Sequence, residues 1–201
     1  MEKNSEFQKL IQFFEEFPGV GSRQARRFAL FLLSRNKDTL ASFTETLHTV
    51  KTISRECPSC MRYHFTKNEL CSICEKPERT RSSLLVVEKE ADIDAFERAH
   101  VYNGMYFVLG KLISLISKDE IRLTRLQKLF DKIQTQQDIT EIILAFPTTP
   151  NGLFTDQYVR NEIHRTFPHI QIRSLGRGFA TGSDPEYVDT DTITYAFQNR
   201  A

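Results

Sequence analysis

Apolar residues recur at helical spacing from the start of the chain. Phe7, Leu10, Ile11, Phe14 and Phe17 fall on one face of a helix over 5–17. The run Pro18-Gly19-Val20-Gly21 breaks that helix. Ser22 is then the expected N-cap of a second helix reaching about Arg35, with Ala25, Phe28, Ala29, Leu32 and Leu33 on its apolar face. A third helical pattern covers 38–53, with Asp38 as its expected cap. Residues 57–74 are polar and poor in core material. From Leu84 the texture changes to brief apolar runs bounded by polar residues. The segments 84–87, 105–109, 141–146 and the shorter 170–174 read as buried strands. Helical patterns at about 91–99, 119–134 and 153–166 lie between them.

Strands alternating with helices predict an α/β domain with a largely parallel sheet, preceded by an all-α module. The expected organisation is a helical module over 1–55, a cysteine segment over 56–80, the α/β domain over 81–175, and a C-terminal segment over 176–201 packing on that domain. At 201 residues, 40% of them hydrophobic, the chain is long enough to bury a real core. No charged leader with an apolar run opens the sequence, and no apolar stretch approaches the roughly 18 residues of a membrane span. Neither a signal peptide nor a transmembrane helix is expected, and the expected location is the cytoplasm.

The net charge of +1 points to no partner by itself. Its distribution says more. Residues 1–83 carry 14 Lys/Arg against 10 Asp/Glu, and the remainder carries 13 against 16. A basic half followed by an acidic half fits a local nucleic-acid surface, or simply solvated charge.

The sharpest motif is Cys57-x2-Cys60-x10-Cys71-x2-Cys74. Each Cys-x2-Cys pair places two thiolates on one tetrahedral ion, and two pairs complete a site with no position left for water or substrate. Such a site is structural, and zinc is its expected occupant. Four reduced cysteines in a loop and an iron–sulfur cluster are the alternatives. His64 lies inside the loop, but four thiolates already saturate the ion, so it is expected at the surface.

A second motif is FPGVGSRQARRF over 17–28. Gly19 and Gly21 allow a tight turn that points backbone amides outward, and the helix beginning near Ser22 adds its positive end. Arg23, Arg26 and Arg27 occupy the first turns of that helix. This is the hairpin pattern of a helix–hairpin–helix DNA-binding module, which grips phosphates without reading bases. A plain helical turn with a solvated arginine face is the competing reading.

Glu88 ends the strand 84–87, where α/β folds bind ligands, and Asp92 and Asp94 follow. Such acids serve Mg²⁺-dependent phosphoryl chemistry, or merely cap a helix. The segment after EIILAF, 147–155, contains no carboxylate, which counts against catalysis. The stretch bearing Asp184, Glu186, Asp189 and Asp191 reads as an acidic loop, solvated or contacting a protein. Phosphate-loop, nucleophile-elbow and His-Glu-x2-His motifs are absent.

The order of these pieces resembles the bacterial RecR family over nearly the whole chain. LIQFFEEFPGVGSRQARRFALFLLSR is similar to its DNA-binding module, CPSC and CSIC to its zinc site, and LLVVEKEADIDAFERAHVYNGMYFVLGKLIS to the start of its Toprim domain, a Rossmann-type fold. EIILAFPTTPNGLFT and RSLGRGFATGSDPEYVDTDTITYAFQNR resemble its later segments. The resemblance implies a non-catalytic DNA clamp and adaptor in recombinational repair. It implies dimers or tetrameric rings, RecO and in some bacteria RecF as partners, and a role in loading the RecA recombinase, with association to the nucleoid during repair. The family's DNA-contacting residues fall on Arg23 and Arg27, its zinc ligands on the four cysteines, and its Toprim glutamate on Glu88. The sequence departs from the pattern at Asn151 and Leu153, where the family has glutamates, and at Lys111, where it has glycine. The lost acids weaken the case for Mg²⁺ and leave Glu88 and Asp92 as a partner contact or a vestigial metal site. A Toprim-type Mg²⁺-dependent nuclease or phosphotransferase, and a zinc-stabilised interaction module without a DNA role, are the alternative functions.

Overall fold

The computed structural model describes residues 5–114, 125–176, 178–179 and 182–198. The chain divides into two compact units, one ending at Ser54 and one beginning at Arg55.

The first unit is helical. Helices α1 (Ser5–Glu15) and α2 (Ser22–Leu33) pack through Ile11, Ala25 and Ala29, which are buried, with Phe7, Leu10, Phe14 and Val20 closing around them. The two alanines let the helix backbones approach, and the Phe14 ring fills the remaining space edge-on to Phe17 and Phe28, at centroid distances of 5.6 and 5.7 Å. The cap of α2 is Gly21, not Ser22, which is already the first helical residue. Helix α3 (Lys37–Ile53) is capped by Asn36, whose side chain accepts from the Thr39 amide at 2.8 Å. Asp38, the expected cap, sits instead in the first turn, where its charge complements the helix dipole.

The second unit begins with two strands of two residues each, β1 (Arg55–Glu56) and β2 (Tyr63–His64), paired antiparallel across the first cysteine pair. The α/β elements follow: β3 (Thr80–Val87), α4 (Glu90–Ala99), β4 (Gly104–Val108), α5 (Leu126–Thr135), β5 (Glu141–Ala145), α6 (Pro150–Thr166) and β6 (Gln171–Ser174). The sheet order is β4-β3-β5-β6 with every pairing parallel. Leu84 to Val87 and all of β4 are buried, as expected of strands covered on both faces. The strand expected at 84–87 extends back to Thr80 through an irregular register against β4. Part of the helix expected over 119–134 lies outside the described residues.

Each border of the sheet carries a hydrogen bond from outside it. On β4, the Val108 amide donates to the Cys60 carbonyl at 2.9 Å. On β6, Arg160 donates to the Ile172 carbonyl at 3.0 Å. The C-terminal stretch is not the loop its composition suggests. A 3₁₀ turn covers Pro185–Tyr187 and helix α7 covers Thr190–Gln198. Two of its acids are caps: Asp184 accepts from the Glu186 amide, and Asp189 from the amide and hydroxyl of Thr192. Capping is a use of Asp that composition cannot separate from a solvated loop.

Arg79, just before β3, is nearly buried and bonds the Gly104 carbonyl at 2.9 Å and the Glu97 carboxylate of α4. Tyr106 donates to the same carboxylate at 2.7 Å. Burial works against the charged form of Glu97, but the hydrogen bonds from Arg79 and Tyr106 prevail and hold its carboxyl below the usual range. Glu97→Ala leaves the Arg79 charge uncompensated and is expected to cost about 2–3 kcal/mol at pH 7, discounted because Glu97 is partly exposed. A depressed carboxyl contributes stability above its unfolded value near 4.5 and loses it as pH falls through the folded value. Urea unfolding therefore gives a wild-type-to-variant difference that is full at pH 7 and shrinks below pH ~4.5.

Candidate functional site

In the first unit, the Phe17 carbonyl accepts from the Val20 amide at 3.0 Å, and Gly19 has φ +76°. Pro18 and Gly19 thus hold the two central places of a type II turn, where the second needs a left-handed residue. The Gly21 carbonyl accepts from the Gln24 and Ala25 amides, both at 2.9 Å, and starts α2. No side chain caps this helix. Gly19, Gly21, Ser22 and Arg23 are all exposed, so the open amides of the first turn face solvent. A Cβ on Gly19 or Gly21 would meet nothing within 4 Å. Gly21 has ordinary extended torsions, φ −87° and ψ 168°, so neither backbone strain nor internal packing explains the glycine. Glycine is an accepted N-cap residue, and without a Cβ it leaves the start of α2 open.

Arg23 and Arg27 lie one helical turn apart and are exposed, with no ion pair among the described residues. Arg26 is different. It is half-buried, with its guanidinium 5.7 Å from the Phe7 ring centroid, and serves the packing of α2 on α1.

In the second unit, Cys57, Cys60, Cys71 and Cys74 are buried free thiols whose sulfur atoms all lie within 4.8 Å of one another. The Cys60 and Cys71 sulfurs are 3.6 Å apart. Four metal–sulfur bonds of about 2.3 Å in a tetrahedron place sulfurs about 3.8 Å apart, so the cluster fits a metal ion. Among the described residues it is the one converging group of at least three potential ligands. The first turn closes with the Met61 amide on the Cys57 carbonyl and the Cys57 amide on the Arg62 carbonyl, both at 2.8 Å. Met61 takes the left-handed φ of +64° that brings the chain back. The Cys71 amide donates to the Cys57 sulfur at 3.5 Å.

The cysteine segment is not poor in core. Its four cysteines, Met61 and Ile73 belong to the same buried cluster as the sheet residues. Glu56 binds Arg125 at 2.6 Å and Lys128 at 2.9 Å on the α5 side, and Arg62 binds Asp94 of α4 at 2.8 Å. Lys132 of α5 donates to the Ser59 hydroxyl at 2.9 Å. Burial pushes the Lys132 amine down, against the opposing pull of Cys74, Cys60 and Cys57. His64 is buried rather than at the surface, at 7% exposure. The Thr66 hydroxyl donates to the Leu70 carbonyl and so accepts from His64 Nδ1, 2.8 Å away. That assigns the proton to Nδ1 and leaves Nε2 enclosed without a partner among the described residues.

The carboxyl ends of β3 and β5 flank the point where successive strands step to opposite sides of the sheet. This is where open α/β sheets bind ligands. A cleft of about 300 Å³ lies there, lined by Glu88, Lys89, Asp92, Phe96, Pro147 and Leu175 among others. The candidate acids do not converge. Asp92 accepts from the Lys89 amide at 3.0 Å and caps α4, and Asp94 is paired with Arg62. Glu88 lines the cleft with Asp92, but among the described residues no third ligand joins them to form a metal group. Gly152 is needed by the fold, since a Cβ would lie 2.0 Å from the Pro147 carbonyl oxygen. Its flanking residues Asn151 and Leu153 are exposed.

Among the described residues no helix is long and apolar enough to cross a membrane. A family model described as RecR, helix-hairpin-helix matches residues 7–51, and a Toprim domain model matches residues 82–175. The chain is 33% identical over 192 residues to a protein of Prochlorococcus marinus named recombination protein RecR, covering 96% of this chain and 94% of that one. It is also 33% identical over 194 residues to the recombination protein RecR of Lactobacillus helveticus, covering 95% and 94%. The likeness therefore runs through hairpin, cysteine segment and α/β domain together, and the chain belongs to the RecR family of recombination proteins.

Proposed function

We propose that this chain is a DNA-binding recombination mediator, a non-catalytic clamp and adaptor in recombinational DNA repair. The observation that carries this reading is the open hairpin, with uncapped amides at the start of α2 beside exposed Arg23 and Arg27, which have no ion pair among the described residues. Amides of Gly21, Ser22 and Arg23 receive a phosphate oxygen, and the helix dipole favours its charge. Arg23 and Arg27 then follow the backbone along one helix face, with Arg26 holding α2 in place. None of this reads a base edge, so binding is independent of sequence. The α/β domain presents Glu88 and its cleft to protein partners, here RecO-like and RecF-like proteins, for loading a RecA-type recombinase. The working form is a homo-oligomer, a dimer or tetrameric ring, in the bacterial cytoplasm and at the nucleoid during repair.

We assign the four-cysteine centre to zinc. Bound Zn²⁺ supplies folding energy to the segment and leaves no open coordination position. A Mg²⁺-dependent nuclease or phosphotransferase would need further carboxylates beside Glu88, and residues 147–155 supply none. DNA cleavage that requires Mg²⁺ and disappears in Glu88→Ala would overturn the non-catalytic reading.

The decisive experiment is a salt titration of binding to random-sequence DNA by fluorescence anisotropy. Arg23→Ala and Arg27→Ala are each expected to weaken binding by about 1 kcal/mol and to flatten the salt slope by about 1. An unchanged slope in the double variant removes the hairpin from the interface. Gly19→Ala should cost ~1 kcal/mol of stability through its torsion. Gly21→Ala, at an N-cap where alanine is disfavoured, should cost about 0.5–1 kcal/mol of stability and weaken DNA binding as well. Cys57→Ser or complete chelation is expected to lower the melting temperature by roughly 10 °C or more and to dissociate the oligomer. A melt unchanged after metal removal contradicts the structural role.

A further inference from the structure

Lys132 occupies an unusual place for a lysine. It lies among the buried positions of α5, with Leu126, Leu129 and Ile133, and is only 8% exposed. An apolar residue would suit that face better. Its ammonium reaches out of the helix into the turn between Cys57 and Cys60 and donates to Ser59 Oγ at 2.9 Å. Among the described residues it has no carboxylate within ion-pair distance. The nearby acids are engaged elsewhere: Glu56 holds Arg125 and Lys128, and Asp131 accepts from Gln127 at 3.0 Å.

An enclosed ammonium with one neutral partner is unfavourable by several kcal/mol unless an opposite charge lies close. The four-cysteine centre is that charge. Four thiolates on a divalent cation carry a net charge of about −2, itself costly to enclose. We propose that Lys132 is the counter-ion of the metal centre, a positioning residue that retains the ion by stabilising its thiolates from outside the ligand set. This inference rests on the metal reading of the cysteines and adds to it a residue of another element. The dependence is mutual: the centre holds the ammonium, and the ammonium ties α5 to the first cysteine turn. Lys128 is a built-in comparison. It lies one turn away on the same helix, is 53% exposed, and pairs with Glu56 rather than with the centre.

A purely structural role predicts the opposite of a counter-ion. Replacing a buried charge by an apolar side chain of similar shape is often neutral or stabilising. Lys132→Met would then hold metal as well as wild type and melt no lower.

The test uses the full-length zinc-loaded protein at fixed pH and salt. Metal content is measured first, and zinc affinity is then read by competition with a coloured chelator. The expected result is affinity weakened about tenfold or more in Lys132→Met, since a full charge is removed from a low-dielectric site. Lys132→Gln, which keeps a donor for Ser59, is weakened likewise, Lys132→Arg stays near wild type, and Lys128→Met is unchanged. If Lys132→Met does not fold, the Gln and Arg variants carry the comparison. Equal affinity in wild type and the neutral variants overturns the counter-ion. A wild-type protein that binds no metal overturns the metal reading, and this inference with it.

Discussion

The convergence of Cys57, Cys60, Cys71 and Cys74 is the constraint from which the layout of the second unit follows. Four sulfurs within 4.8 Å of one another draw the segment between Arg55 and Arg79 into one closed knuckle. With the knuckle closed, its flanks meet the α/β domain. Glu56 reaches two cations of the α5 side, Arg62 reaches Asp94 of α4, and the Tyr63 amide donates to Glu90 at 3.0 Å. The cysteine segment is thus integral to the domain, which explains why its cysteines share the sheet's core.

The two candidate functional regions are built on opposite logic. At the hairpin, groups are left open to solvent: amides without a side-chain cap, glycines beside open space, and Arg23 and Arg27 with no ion pair among the described residues. Such a surface leaves its donors and positive charge open to solvent. At the carboxyl end of the sheet, groups that might have bound metal are satisfied internally. Asp92 closes a cap and Asp94 closes an ion pair. Glu88 shares a largely apolar cleft with Lys89 and the capping Asp92.

Much of this was legible in the sequence because burial there follows periodicity. Leu84 to Val87 and Ile142 with Leu144 are apolar where the sheet needs them, and the cysteine spacing carries its own geometry. What escaped depends on groups too short or too inverted to show a period. Strands β1 and β2 have two residues each. At β2 the pattern runs backwards, with Tyr63 and Phe65 exposed around a buried His64. The caps Asn36 and Gly21 each lie within two residues of another plausible cap, Asp38 and Ser22. Asn36 was discoverable as an Asn before a helical pattern, whereas Gly21 was hidden by the stronger preference of Ser22. Lys132 falls at core spacing with Leu129 and Ile133, a signal visible in the sequence only once the cysteine turn is placed beside it.

The hydrogen bond from Val108 to the Cys60 carbonyl has a consequence for how this molecule fails. A bare strand border is a template on which other chains add, and here the cysteine turn closes that border at β4 while Arg160 blunts the one at β6. The covering at β6 is an ordinary side chain, fixed by its own helix. The covering at β4 is a single loop contact whose place depends on the four cysteines staying together. Any change that parts them frees the Val108 amide at the border of a strand whose five residues are all buried.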